Sequence, residues 1–252
     1  MNPAEHRVTS LSSFIAFLER AFEGDDGILY RGQEADWELL PRIARIKRKS
    51  GDTIGQAELK MLRDFKLQGP ALIPRLPVNN WEWLTIAQHY GMATRFLDWT
   101  KNPLAALWFA IKSPPKKPLP KKLPRARTGH AVVWAFSYEE ELRAGPALKV
   151  SPFNLAGTRV YCPRHISTRV TAQSGWFTVH KLVSDARFIP LERQPTFKRL
   201  LTKIVIPNVS FSDMRAQLDS CGVNASSMFA DLGGMCENIQ WTHSLLEDES
   251  ED

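Results

Sequence analysis

The stretch QHYGMATRFLDWT, residues 88–100, holds the densest group of polar side chains in the chain and lies between two predicted helices. The first helix ends at Gly91, a residue suited to the left-handed conformation at a helix end. The second begins at Pro103, which is favoured in the first helical position, behind the capping residue Asn102. A short connection between helices therefore carries an imidazole, a guanidinium, a carboxylate and two hydroxyl groups.

This connection has two interpretations. In the first, Arg95 pairs with Asp98, which holds the connection rigid and leaves hydrogen-bond donors for a ligand. The helix N-terminus at Asn102 then adds partial positive charge that suits a phosphate. In the second, a buried pair of Arg95 and Asp98 only pins the connection, and His89 is a hydrogen-bonded core side chain. The residues by themselves favour neither interpretation.

Two other polar segments are expected to join this one. The segment YRGQ, residues 30–33, ends a predicted strand, and an arginine beside a glycine can bind a diphosphate through two hydrogen bonds. A surface ion pair is the alternative there. Gln173 lies beside a predicted bulge or turn, which is a common way to aim one side chain, although a kinked strand explains it equally. We therefore predict one polar cleft, and its expected lining residues are Arg31, His89, Arg95, Asp98 and Gln173.

The composition is that of a globular protein, with 43% hydrophobic and 24% charged residues among 252. Helical segments come first and strand-like segments such as His130–Phe136 follow, which predicts an α+β fold. We expect a single compact domain over residues 10–243, with a mixed or antiparallel β core flanked by helices. The absence of a long apolar run and of a secretory signal predicts a cytoplasmic protein with no membrane partner. The three cysteines have no metal-ligand spacing, so no metal is expected.

Charge is distributed unevenly along the chain, whose net charge is +6. A basic, proline-rich insertion is predicted at about residues 113–128, and its lysines and arginines could contact nucleic acid phosphates. Residues 244–252 are predicted to form an acidic disordered tail. The alternative is that both segments are solvated charge runs without a partner.

Four blocks of the sequence resemble successive blocks of the FRG-domain family. They read YRGQ, HYGMATRFLDWTKNPLAALWFA, TAQSGWFTVH and LDSCGVNASSMFADLGG, and the resemblance extends over about residues 13–240. Tyr30 stands where the family has phenylalanine, and Phe96 where it often has leucine. The resemblance implies a role in a prokaryotic or phage conflict system, such as phage defence or a toxin–antitoxin pair.

The order of polar residues is also similar to that of ADP-ribosyltransferases, which would make NAD the substrate. These enzymes place an arginine on an early strand, then a Ser/Thr strand end before a helix of small residues, then a Glu or Gln. Arg31, Thr100 and Gln173 follow this order, although a glutamine cannot stabilise a developing cation by charge as a carboxylate does. The implied catalytic residues are Arg31, His89, Thr100 and Gln173. The implied ligand-binding residues are Tyr30, Gln33, Tyr90, Thr94, Arg95, Asp98 and Asn102.

Two functions from different classes therefore follow from the sequence. One is an NAD-dependent ADP-ribosyltransferase or NAD hydrolase that modifies a protein acceptor the sequence does not identify. The other is a non-catalytic module that senses a nucleotide or a nucleic acid through the same cleft.

Overall fold

A mostly antiparallel sheet forms the centre of the fold in the computed structural model, which describes residues 3–25, 27–48, 51–115, 129–163, 175–184 and 187–250. Its seven described strands lie in the order β1-β9-β4-β2-β3-β6-β5, and only β1 and β9 among them run parallel. A separate two-stranded ribbon consists of β7 and β8. The strands are β1 (Ala4–Arg7), β2 (Ile28–Gln33), β3 (Phe96–Thr100), β4 (His130–Ser137), β5 (Arg159–Tyr161), β6 (Gly175–Val179), β7 (Leu182–Ser184), β8 (Arg187–Phe188) and β9 (Leu201–Pro207).

Eight α-helices of the described residues flank this sheet, and several short 3-10 turns connect them. Ser10, Thr53, Asn79 and Asn102 accept backbone hydrogen bonds at the starts of the four longest helices of the N-terminal half, as N-cap residues do. The helices are α1 (Leu11–Ala21), α2 (Ile54–Gln68), α3 (Asn80–His89), α4 (Pro103–Ile111), α5 (Pro195–Lys198), α6 (Phe211–Ser220), α7 (Ala225–Met228) and α8 (Leu232–Thr242).

Helix α4 is the central helix of the fold and is apolar on almost every side. Its residues join one core cluster with side chains of α1, α6 and the strands β2, β4 and β9. The helix crosses β2 at Gly32, where an added Cβ would lie 1.9 Å from the carbonyl oxygen of Ala106. Gly32 is therefore required by the helix backbone that packs against it, rather than by a ligand, as the sequence had suggested.

Helices α2 and α3 cover the other end of the sheet. Trp81 and Leu84 of α3 pack with Phe96 of β3 and Phe177 of β6 in a separate core cluster. A further cluster, centred on residues such as Trp99, covers the opposite face of the sheet. Because α3 and α4 sit over neighbouring strands, the gap between them lies above β2 and β3.

The predicted α+β class and the single compact domain are confirmed, but several local features differ from expectation. Strand β1 lies before residue 10, where the domain was predicted to start, and pairs with β9. Strand β3 lies within the polar stretch that was predicted to be only a connection. The described helices include none that is both long and apolar enough to cross a membrane.

Two sequence predictions concern residues outside those that the structure describes. These are Gln173 and most of the basic insertion, residues 116–128. Part of the acidic tail is described and packs against α6, although residues 244–252 were predicted to be disordered. Arg215, which is buried, donates to Asp248 at 2.7 Å and to Glu249 at 2.9 Å.

Candidate functional site

The central sheet opens between β2 and β3. Strand β2 pairs with β4 over its whole length, from Ile28 to Gln33. Within the described strands its register with β3 is a single pair, Tyr30 with Thr100. In a continuous antiparallel ladder, Gly32 would face Asp98 next, but the strands have diverged there. The divergence leaves a cleft that receives side chains from both faces of the sheet.

The cleft has a volume of about 410 Å³ and combines aromatic with charged walls. Arg31 and Asp98 reach it from the strands, and His89 reaches it from the end of α3. Arg45 and Glu34 add a second cation and a second anion from the segment that follows β2. Its aromatic lining residues are Tyr30, Trp37, Trp99, Phe109, Trp176, Phe177 and Phe229.

Arg31 and Asp98 face each other across the opening without forming a close salt bridge. Arg31 Nη1 lies 3.8 Å from Asp98 Oδ2, and it donates a 2.9 Å hydrogen bond to the backbone oxygen of Asp98. The side chain of Arg31 is 17% exposed, whereas that of Asp98 is 58% exposed. Arg31 Nε is buried and has no hydrogen-bond partner among the described residues. The pair therefore presents a half-buried cation beside an accessible carboxylate.

Burial is the main electrostatic influence on the cleft. It lowers the pKa of Arg31, an effect that the Asp98 carboxylate partly offsets. Burial also lowers the pKa of Arg45, with a further contribution from Arg42. The hydroxyl of Tyr30 has its pKa raised to about 12, chiefly by burial. The guanidinium of Arg31 is thus largely removed from water, whereas Arg45 is an exposed residue, and an anionic ligand would restore the interactions that Arg31 has lost.

A chain of directed hydrogen bonds holds the carboxylate of Asp98. Gln88 Nε2 donates to Asp98 Oδ2 at 2.9 Å. The hydroxyl of Thr94 donates to Gln88 Oε1 at 2.8 Å and accepts from the backbone of Phe96 at 3.1 Å. Thr94 is buried and does not line the cleft, so its predicted role in ligand binding becomes an indirect one.

Arg95 does not pair with Asp98 and does not line the cleft, so this part of the sequence interpretation is wrong. Its guanidinium binds the buried carboxylate of Glu58 in α2, with Nη2 at 2.7 Å from Oε2. Phe153 lies against the other side of the guanidinium, 4.4 Å from its carbon to the ring centre. Arg95 directly precedes β3, and successive side chains along a strand point to opposite faces of the sheet. The side chain of Arg95 therefore points into the core, and that of Asp98, three residues later, points outward.

Of the other predicted residues, some line the cleft and some lie outside its lining. Thr100 lines the cleft, and its hydroxyl accepts from the backbone of Asn102 at 3.0 Å. Gln33 lines it too, with its oxygen 3.2 Å from the indole nitrogen of Trp134. Asn102 caps α4 and so occupies the donors at that helix start. Tyr90 is 76% exposed and lies outside the cleft lining.

A network of buried polar side chains holds Trp99, which lines the cleft. The indole of Trp99 donates to the hydroxyl of Thr178 at 3.0 Å, and that hydroxyl lies 3.1 Å from Nε2 of His180. Burial, together with the nearby cations of Arg31 and Arg95, lowers the pKa of His180 to about 3. His180 is therefore neutral at ordinary pH, and the network fixes the orientation of the Trp99 ring.

Gln88, Arg45 and Trp37 are cleft residues that the sequence interpretation did not select. Gln88 was quoted within the polar stretch, and its place one residue before His89 at a helix end is the signal that could have identified it. Arg45 lies among several basic residues in an irregular segment, so nothing in the sequence distinguishes it from its neighbours.

Two other cavities are lined by none of the residues that were predicted to form the site. One of about 600 Å³ is lined by residues that include Glu141 and Cys162, and one of about 160 Å³ lies between α4, α6 and α8 beside Trp241. In the part of the chain that the structure describes, no three His, Cys, Asp or Glu side chains come together as a metal site would require. The opening between β2 and β3 is therefore the cavity that contains Arg31, His89 and Asp98 of the predicted lining.

The fold and the cleft define a single-domain mixed α/β protein with a partly buried polar site, which contains two arginines and two carboxylates, at a break in its sheet. Comparison with family models shows that an FRG domain is present, matched over residues 26–118. This range includes strands β2 and β3 and helices α2 to α4, and hence most of the cleft. The two later blocks that resembled the family in the sequence lie outside it. Neither the curated proteins nor the solved structures contain a match to the chain.

Proposed function

We propose that the cleft binds a phosphate-bearing nucleotide, with NAD as the first candidate, and that the protein is an ADP-ribosyltransferase or NAD hydrolase. The observation that carries the proposal is the convergence of two arginines, the largely buried Arg31 and the exposed Arg45, with several aromatic rings in one cleft. Guanidinium groups match the geometry of phosphate oxygens, and aromatic faces stack on nucleobases. A volume of about 410 Å³ is within the usual range of small-molecule sites.

The reaction would proceed by loss of nicotinamide. The bond between the ribose C1′ and the nicotinamide nitrogen breaks, and its electron pair leaves with the neutral nicotinamide. The oxocarbenium-like ribose then accepts an electron pair from water or from an acceptor nucleophile, which afterwards releases its proton. A carboxylate is the group that best stabilises such a cation.

Asp98 supplies the carboxylate that Gln173 could not. It is accessible in the cleft, lies beside Arg31, and is held by Gln88. In this proposal Arg31 and Arg45 bind the diphosphate, and His89 and Thr100 contact the ribose or the amide. Gln173 remains a predicted catalytic residue, and a role in a prokaryotic or phage conflict system belongs to the same proposal.

The test is incubation of the purified protein with NAD, with and without cell lysate, while free nicotinamide and labelled acceptor are followed. We expect nicotinamide release, and we expect Arg31→Ala to abolish it with little change in melting temperature. Arg199→Ala is the matched control, because this exposed arginine is not a lining residue of the cleft, directly follows α5 and pairs with Glu139. Saturable binding without release would identify a nucleotide-sensing module instead. Absence of both binding and turnover would reject the proposal.

A further inference from the structure

The distance between Arg31 and Asp98 is unusual for two opposite charges that face each other. A guanidinium and a carboxylate in contact normally approach to about 2.7–2.9 Å. Here Nη1 of Arg31 is 3.8 Å from Oδ2 of Asp98 and donates to the backbone oxygen of Asp98 instead. A third group also binds the carboxylate of Asp98.

That third group is the side-chain amide of Gln88. Its Nε2 donates to Oδ2 of Asp98, the same oxygen that a closed salt bridge with Arg31 would use. Its Oε1 accepts from Thr94, whose hydroxyl hydrogen is free for this bond because the hydroxyl oxygen accepts from the backbone of Phe96. A carboxylate can only accept, so the network leaves the amide a single orientation.

We propose that Gln88 is a positioning residue that keeps the Arg31–Asp98 pair open, so that both charges stay available to a ligand that carries phosphate and a hydrogen-bond donor. The proposal rests on the proposed function, since it concerns the same cleft. Oδ1 of Asp98 accepts no hydrogen bond within the described part of the chain, so the carboxylate keeps an oxygen for the ligand. A phosphate would then meet Arg31 without first displacing Asp98.

Removal of Gln88 should therefore close the pair. In Gln88→Leu the carboxylate loses its amide donor, and the partly buried guanidinium of Arg31 becomes its nearest donor. Binding of inorganic pyrophosphate, measured by calorimetry, should weaken about tenfold, the effect expected when a charged hydrogen-bond donor is withdrawn from a ligand. Thr94→Val should weaken binding in the same direction, and Thr94→Ser, which keeps the hydroxyl, should not.

Asp98→Asn separates this role from simple loss of structure. Asparagine cannot form the closed salt bridge, so Gln88→Leu should have no further effect on pyrophosphate binding in the Asp98→Asn background. A purely structural role would give the same loss in both backgrounds and would overturn the proposal. Unchanged pyrophosphate binding in the single Gln88→Leu variant would overturn it as well.

A ligand-free crystal structure of Gln88→Leu provides an independent readout. We expect Arg31 Nη1 and a carboxylate oxygen of Asp98 at about 2.8 Å, and a gap that stays near 3.8 Å, as in the unsubstituted protein, would refute the spacing role. Failure of the unsubstituted protein to bind either pyrophosphate or NAD would reject the proposed function. The distance in the variant would then decide by itself whether Gln88 holds the pair open.

Discussion

Replacement of Arg95 by alanine should be among the most destabilising single substitutions in this protein. The side chain of Arg95 is 2% exposed, and the side chain of Glu58, which it binds, is fully buried. Arg95 Nε lies 3.2 and 3.1 Å from the two oxygens of Glu58, and Nη1 donates to the backbone oxygen of Pro152 at 3.0 Å. Alanine would remove all of these donors and leave the carboxylate in the core.

The expected cost follows from the partner that is left behind. The backbone N–H of residue 95 would still donate to Glu58 Oε1, at 2.8 Å in the present structure, but one neutral donor does not compensate a buried carboxylate. Breaking a buried ion pair by removing one partner costs about 3–5 kcal/mol. The lost contact between the guanidinium and the ring of Phe153 adds to this, since desolvated cation–π contacts contribute about 2 kcal/mol.

Urea denaturation followed by tryptophan fluorescence measures the free energy of unfolding directly. The double variant Arg95→Met, Glu58→Leu removes both charges and should be milder than Arg95→Ala, because no carboxylate remains buried. Arg199→Ala is the exposed control, and it should cost no more than about 1 kcal/mol. A loss of less than about 1 kcal/mol in Arg95→Ala, or a double variant less stable than the single one, would contradict the buried-pair argument.

The remaining predictions concern packing and pH. Gly32→Ala should lower the free energy of unfolding by about 3 kcal/mol, because the added Cβ would overlap the backbone of α4. Gly145→Ala is the control, since Gly145 has open space around it, and equal melting temperatures of the two variants would disprove the close approach of α4 to Gly32. The pKa of His180 is lowered by burial to about 3, so only the unfolded chain takes up its proton between pH 6.5 and 3. Stability should therefore fall by up to about 1.4 kcal/mol per pH unit below 6.5, and His180→Gln should lack this part of the slope in urea titrations.

Local chemistry specifies several elements of the fold, and these could be predicted from the sequence. The helices that start at Ser10, Thr53, Asn79 and Asn102 could be predicted because capping residues and apolar periodicity act within one or two turns of the chain. The strand of residues 130–137 was recognisable from its composition alone. The polar stretch of residues 88–100 also identified the region of the site, since Gln88, His89 and Asp98 all line the cleft.

The partners of these residues, in contrast, depend on how distant segments of the chain pack together. Arg95, directly before strand β3, points inward to Glu58, 37 positions earlier in the chain, whereas Asp98 on the strand points outward to Arg31. A one-residue difference on a strand reverses the direction of a side chain, and the sequence did not show that this stretch was a strand. The sequence predicted that Gly32 lets the backbone approach a ligand, whereas in the structure it lets the backbone of α4 approach β2. Which charges meet, and which stay apart, depends on how distant segments pack, because salt bridges form between neighbours in space rather than along the chain.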